Sequence, residues 1–125
     1  MKASRLPLGQ WFKKNWGWTK KLFENESSEV HLIKGGTGGC YSSEHVHEFK
    51  VNMFHVIQGK MLIRVWKESG HVDETILEAD QSTSVDPGLW HQMEFLEDET
   101  MALEIYNTPP IHEDIVRRSD GGCRG

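Results

Sequence analysis

Short stretches of two-residue alternation, each closed by a turn residue, run through most of this chain. They lie at residues 29–34, 43–47, 52–58, 61–67, 74–77, 81–85, 91–95 and 101–106. Successive side chains of a strand point to opposite faces, so alternation of this length describes half-buried strands rather than helices. The punctuation agrees. Gly35–Gly36 and Gly38–Gly39 bracket Thr37, Gln58–Gly59 separates two strand-like runs, and Pro87–Gly88 makes another tight turn. Short strands joined by short turns predict an all-β sandwich or closed barrel. Helix is expected only towards the ends, as a turn or two over residues 8–14 and over 111–118, where Ile111, Ile115 and Val116 follow Pro109 and Pro110 at helical spacing.

With 125 residues the chain has room for one modest core. We divide it into a lead-in segment (1–28), the barrel (29–108) and a C-terminal segment (109–125) whose glycine-rich end, from Ser119, is expected to be mobile. The net charge of −5, from 14 basic and 19 acidic residues, argues against nucleic acid or an anionic membrane as principal partner. No apolar run approaches the ~20 residues that span a bilayer. Residues 1–10 lack the apolar stretch of a secretory signal, so a cytoplasmic location is expected. Only two cysteines occur, Cys40 and Cys123. The position of Cys123 in the last three residues favours two reduced thiols over a bridge.

Seven histidines remain to be explained: His31, His45, His47, His55, His71, His91 and His112. His45-Val46-His47 places two imidazoles on one face of a strand, within reach of a common point. A glycine-rich turn leads into that strand, and His91 opens another strand just after Pro87–Gly88. Three imidazoles at strand starts can converge at one end of a barrel and hold a metal. The others suit plainer roles. His55 points away if Asn52, Phe54 and Val56 face in, His71 lies in a loop, His112 lies near the tail, and His31 is expected at a sheet edge.

These residues give the chain its resemblance to a small single-domain cupin, an RmlC-like jelly-roll barrel with a metal at its mouth. The first cupin motif is read from Gly39 through His45-Val46-His47 and Asn52 to Gly59, with every spacing kept and one ligand changed. The second is read at Gly88, Leu89-Trp90 and His91, with Asp80, Asp86 and Phe95 replacing its usual glycine, proline and asparagine. Asn15-Trp16-Gly17-Trp18 is similar to the tryptophan–glycine step of mannose-6-phosphate isomerase-type cupin domains. The resemblance implies an all-β jelly roll whose metal ligands are His45, His47 and His91. Asn52 stands where the family has a glutamate, as a weak fourth ligand or as a group that orients bound water or substrate. Glu48 ranks below it as a carboxylate donor, because it should point to the other face. Iron, zinc and nickel all suit three imidazoles, and losing the carboxylate makes the site more positive, which favours an anionic ligand.

Around such a site the sequence nominates Tyr41, Phe54, Met93 and Tyr106 as pocket residues. In the last strong strand Met101, Leu103 and Ile105 alternate with Ala102, Glu104 and Tyr106. The apolar trio would ordinarily face in. A wall covered from outside by a second subunit or a terminal segment reverses this and makes Glu104 an inward acid or base. Small cupins commonly pair, so a homodimer is expected, with Trp66 as a candidate contact. The function expected is that of a metal-dependent enzyme on a small molecule, a sugar or sugar-phosphate isomerase or epimerase. A three-histidine iron dioxygenase and a non-catalytic binding module are the alternatives.

Overall fold

The computed structural model describes residues 7–107 and 114–124. These contain strands and no helix, and hence no helix long and apolar enough to cross a membrane. The strands are β1 (Trp11–Lys14), β2 (Gly17–Glu24), β3 (Ser28–Gly35), β4 (Cys40–Tyr41), β5 (His45–Val46), β6 (Asn52–Gln58), β7 (Lys60–Trp66), β8 (Val72–Glu78), β9 (Ser82–Val85), β10 (Trp90–Phe95), β11 (Met101–Asn107), β12 (Val116–Arg117) and β13 (Gly122–Cys123). One sheet has the order β1-β2-β3-β11-β6-β9. The other runs β12-β5-β10-β4-β13, with β7 on β10 and β8 on β7. Together they form a jelly-roll sandwich. Each of the eight expected alternating segments contains a strand, and Gly59, at φ +86°, turns the chain from β6 in one sheet to β7 in the other, a conformation that suits glycine.

The core lies between the sheets. Ile33 of β3, Phe54 and Val56 of β6, Met61 and Ile63 of β7, Met93 and Phe95 of β10 and Ala102 of β11 are all buried. Along several of these strands the inward row changes from apolar to polar. On β11 it runs Ala102, Glu104, Tyr106; on β6 it runs back from Val56 and Phe54 to Asn52; on β3 from Ile33 to His31 and Glu29; on β10 from Phe95 and Met93 to His91. Register aligns these changes, since Glu104 pairs with both His31 and Phe54, and Tyr106 with both Glu29 and Asn52. One end of the sandwich is therefore oily and the other is a polar cavity. Met101, Leu103 and Ile105 accordingly point outward, contrary to the usual rule.

The ends of the chain differ from expectation. Residues 11–14 form β1 on β2 rather than helix, and residues 116–117 form β12 on β5; residues 111–113 and His112 lie outside the described residues. The strand β2 carries an inverted signal, because its buried positions include Thr19 and Lys21. Lys21 is tolerated there through Glu24, 3.0 Å away, and Glu29 at 4.0 Å. The C-terminal end is also held. In β13, Cys123 lies opposite Cys40 of β4 and is joined to it by a disulfide, so the expected free thiols are corrected. The described part of the glycine-rich end also makes contacts: Arg124 reaches Glu94, and a Cβ on Gly121 would sit 2.7 Å from the Tyr41 carbonyl oxygen. That glycine permits close packing of the strap.

Candidate metal centre

His45 opens β5, His91 lies on β10, and the two are directly paired across the ladder. His47 follows one residue after β5, where its carbonyl accepts a hydrogen bond from Gly88 N–H at 2.7 Å. The turn foreseen at Pro87–Gly88 therefore ties the two halves of the site together. Ring centroids are 4.3 Å apart for His45 and His91, 5.1 Å for His45 and His47, and 5.2 Å for His47 and His91. One ring nitrogen from each lies within 4.8 Å of the others.

Hydrogen bonding decides which nitrogen is free. Each Nδ1 faces a backbone carbonyl: Ser43 at 2.8 Å for His45, Asp114 at 2.6 Å for His47, Leu89 at 3.0 Å for His91. A carbonyl can only accept, so each Nδ1 carries the proton and each neutral ring keeps its Nε2 lone pair. Burial pushes the histidines down, His45 to about 3 and His91 to about 4, with neighbouring imidazoles adding to the effect; His47 is lowered by burial as well. The Nε2 atom of His91 is fully buried without a hydrogen-bond partner among the described residues, as is Oδ1 of Asn52. Buried acceptors left unpaired are costly. Three neutral imidazoles with oriented lone pairs and an orphaned Nε2 fit a divalent metal ion.

With His91 buried beside them, His45 and His47 line a cavity of about 440 Å³. Its wall includes Met93, Asn52, Glu104 and Tyr106, as nominated from the sequence. Asn52 donates Nδ2–H to Glu104 Oε2 at 2.9 Å, which fixes the amide with Oδ1 left over. Two nominations are corrected. Phe54 is sealed in the core below the cavity, one inward position beyond Asn52. Tyr41 is not part of the lining, because its ring lies under the Arg124 guanidinium, 5.1 Å away. Glu48 is exposed and points elsewhere. Trp66, nominated for a subunit contact, lies under the Arg118 guanidinium at 4.9 Å.

Several lining residues were not foreseen. His31, expected at an edge, is buried in the wall, with Nε2 2.7 Å from the Tyr106 hydroxyl and 3.2 Å from Glu29. That pair holds the Glu29 carboxyl at about 2, chiefly through its hydrogen bond with His31. Lys50, Arg117, Lys13 and Lys14 also line the cavity. Asp114 supports it from behind. Its carboxylate accepts from Glu48 N–H at 2.7 Å and from Phe49 and Lys50 N–H at 2.9 Å each, and these bonds hold its pKa down against the desolvation that would raise it.

Comparison with known proteins agrees with this geometry. The profile described as "Cupin domain" matches residues 28–106, well over half the chain. The chain belongs to the cupin family. No curated protein sequence matches this cupin significantly. Among solved structures it is similar to oxalate decarboxylase from Bacillus subtilis at pH 4.6, at 14% identity and a TM-score of 0.75, over 86% of this chain and 29% of that one. It is also similar to KdgF from Halomonas sp., at 15% identity and 0.69, over 80% of this chain and 86% of that one. A Lactobacillus farciminis oxalate decarboxylase formate complex gives 15% and 0.71, over 82% of this chain and 31% of that one. The cupin thus spans about three-tenths of the oxalate decarboxylase chains, and at these identities the likeness is one of fold.

Holding the imidazoles neutral gives the metal-free cupin a pH signature. Unfolded histidines titrate near the ordinary 6.5, whereas folded His45 and His91 do so near 3 and 4. Between those values the unfolded chain binds more protons, so stability is highest above pH 6.5 and is lost as pH falls through the window. Each group adds a slope of up to about 1.4 kcal/mol per pH unit. Urea unfolding of chelator-treated protein should show a midpoint that drops on going from about pH 7.5 to about pH 4.5. A midpoint that holds or rises would show the imidazoles to be charged or exposed.

Proposed function

We propose that this cupin is a metal-dependent enzyme that moves a proton on a small hydroxy-carbonyl molecule, of the sugar or sugar-phosphate isomerase or epimerase type. One observation supports the reading above others: Glu104 lines the same cavity as His45 and His47 of the three-histidine cluster, on a strand whose Met101, Leu103 and Ile105 turn the other way. A bound iron, zinc or nickel ion would polarise a substrate oxygen there and acidify the adjacent C–H. His45, His47 and His91 hold the ion. Glu104 takes the proton from carbon and returns it, and Asn52, through its bond to Oε2, fixes the direction in which that carboxylate points. Met93 and the core beneath exclude water from below.

Metal-loaded protein in deuterium oxide, incubated with aldoses, ketoses and their phosphates, tests this by NMR. Wash-in of deuterium beside a carbonyl supports the reading whatever the product. The variant Glu104→Gln should lower the exchange rate by about a hundredfold or more while metal affinity stays within error. Oxygen uptake by iron-loaded protein without any wash-in would instead favour the dioxygenase alternative.

The outward row on β11 supports a homodimer. Ile105 pairs with Val30 of β3 and Met53 of β6, Val30 with Phe23 of β2, and Leu103 with Leu32. Phe23 is 49% and Met53 42% exposed. A sheet with a polar cavity on one face and an apolar strip on the other is best covered by a second copy of itself. Sedimentation velocity should give twice the 14.4 kDa chain mass, and Met53→Glu should give monomer. A wild-type monomer at micromolar concentration would contradict the pairing.

A further inference from the structure

We propose that the molecule bound in the histidine cavity carries an anionic group, a carboxylate or a phosphate, and that Lys50 and Arg117 hold it. The inference rests on reading this cavity as the substrate site of a metal centre, and it names the class of ligand that the site takes.

The charge of the cavity runs against that of the chain. A protein of net charge −5 lines this space with Lys13, Lys14, Lys50 and Arg117 against Glu104 and Asp120, with the carboxylates of Glu29 and Asp114 behind the wall. One of those anions, Glu104, already accepts a hydrogen bond from Asn52. The histidines carry no negative charge to set against these cations, and a divalent ion on them would add positive charge. In a partly enclosed space with an apolar floor such a field is concentrated rather than screened.

Two of the cations are placed as ligand contacts rather than as surface charges. Lys50 is half-buried, its ammonium 4.1 Å above the Tyr106 ring centroid, and it makes no ion pair among the described residues. It follows His47 by three residues, in the turn whose amides Asp114 fixes. Arg117 comes from a distant part of the chain, yet it lies in register opposite His45. Its neighbour Arg118 shows the contrast. Arg118 turns outward, bonds the Glu44 carboxylate at 2.9 Å and covers Trp66 and Trp90, a structural role fully accounted for. Arg117, on the alternate face, lines the cavity and has no such role among the described residues. An anionic group between Lys50 and Arg117 would pair both cations and leave the rest of a small ligand beside the histidines and Glu104.

The test titrates glycolate and inorganic phosphate into chelator-treated and into zinc-loaded protein, with glycolamide as the neutral counterpart of glycolate. Dissociation constants are read by ligand-observed NMR. At least one anion should bind about tenfold or more tightly than glycolamide in both preparations, and the order of the two identifies the group as carboxylate or phosphate. Arg117→Gln should weaken that anion severalfold, and Arg117→Gln with Lys50→Met by about tenfold or more, with zinc affinity of Arg117→Gln unchanged. Glycolamide binding as tightly as both anions, or anion affinities indifferent to these substitutions, would overturn the proposal. Should Lys50→Met fail to fold, the exposed Arg117→Gln decides alone. Failure to take up zinc would count against the metal centre, while the metal-free arm would still decide the anion site.

Discussion

Replacing His47 by alanine is expected to abolish the stabilisation that a divalent metal gives this cupin. A ligand bound only by the folded state stabilises it by about 4 kcal/mol at a thousandfold excess over its dissociation constant. For a domain of this size that is a rise in Tm of roughly 10 °C or more. Among the described residues His47 supplies one of three clustered imidazoles and no carboxylate joins the cluster, since Asn52 occupies the customary position and Glu48 is exposed. The substitution also removes the donor that satisfies the Asp114 carbonyl at 2.6 Å, a buried contact whose loss costs about 1–3 kcal/mol by itself. Thermal unfolding with and without zinc, nickel or ferrous iron separates the two effects. The variant should melt lower than wild type without metal, and metal should not move its Tm. A metal-induced shift of wild-type size in the variant would show that His47 is not a ligand.

Reduction of the Cys40–Cys123 bridge is the second large effect. The bridge joins residues 83 apart, and by chain entropy a loop of that length restricts the unfolded state by about 4–5 kcal/mol. Dithiothreitol, or the paired substitution of both cysteines by serine, should therefore lower Tm by roughly 10 °C. The loss should reach the metal centre as well. The strap from Asp114 to Arg124 pairs β12 with β5 and β13 with β4, and it carries the Asp114 groups that orient His47 and fix the amides of residues 48–50. Metal affinity measured under reducing conditions should fall together with Tm. An unchanged melting curve after complete reduction, verified by mass, would mean that strand pairing alone holds the strap.

The sequence made the central strands and the three histidines legible for one reason: their inward rows are read by period and spacing. His45 and His47 share a face by alternation, and a glycine-rich turn precedes them. What was missed has a polar or late-joining character. The strand β2 buries Thr19 and Lys21, so its alternation is inverted, and His31 sits in a strand whose neighbours gave no sign that its face lines a cavity. Arg117 reaches the site through β12, whose partner β5 lies far back in the chain, while Lys13 and Lys14 sit on β1, a local hairpin with β2 in a segment read as a helical turn. Cys123 looked frayed because it stands in the last three residues, yet it pairs with Cys40, and Gly121 allows the close approach to Tyr41 beside it. Glu104 is the instructive case. By alternation alone the apolar trio of its strand would face in, and only the neighbouring strands, with Phe54 and His31 beside it, turn Glu104 inward.

The measurement that bears most directly on the account is the metal content of the protein, by elemental analysis after purification without added metal and after reconstitution with ferrous iron, zinc or nickel. The account predicts one ion per chain for at least one of these metals, absent when His45, His47 and His91 are all replaced by alanine. Wild-type protein that retains none of them, with a Tm indifferent to each, would contradict it.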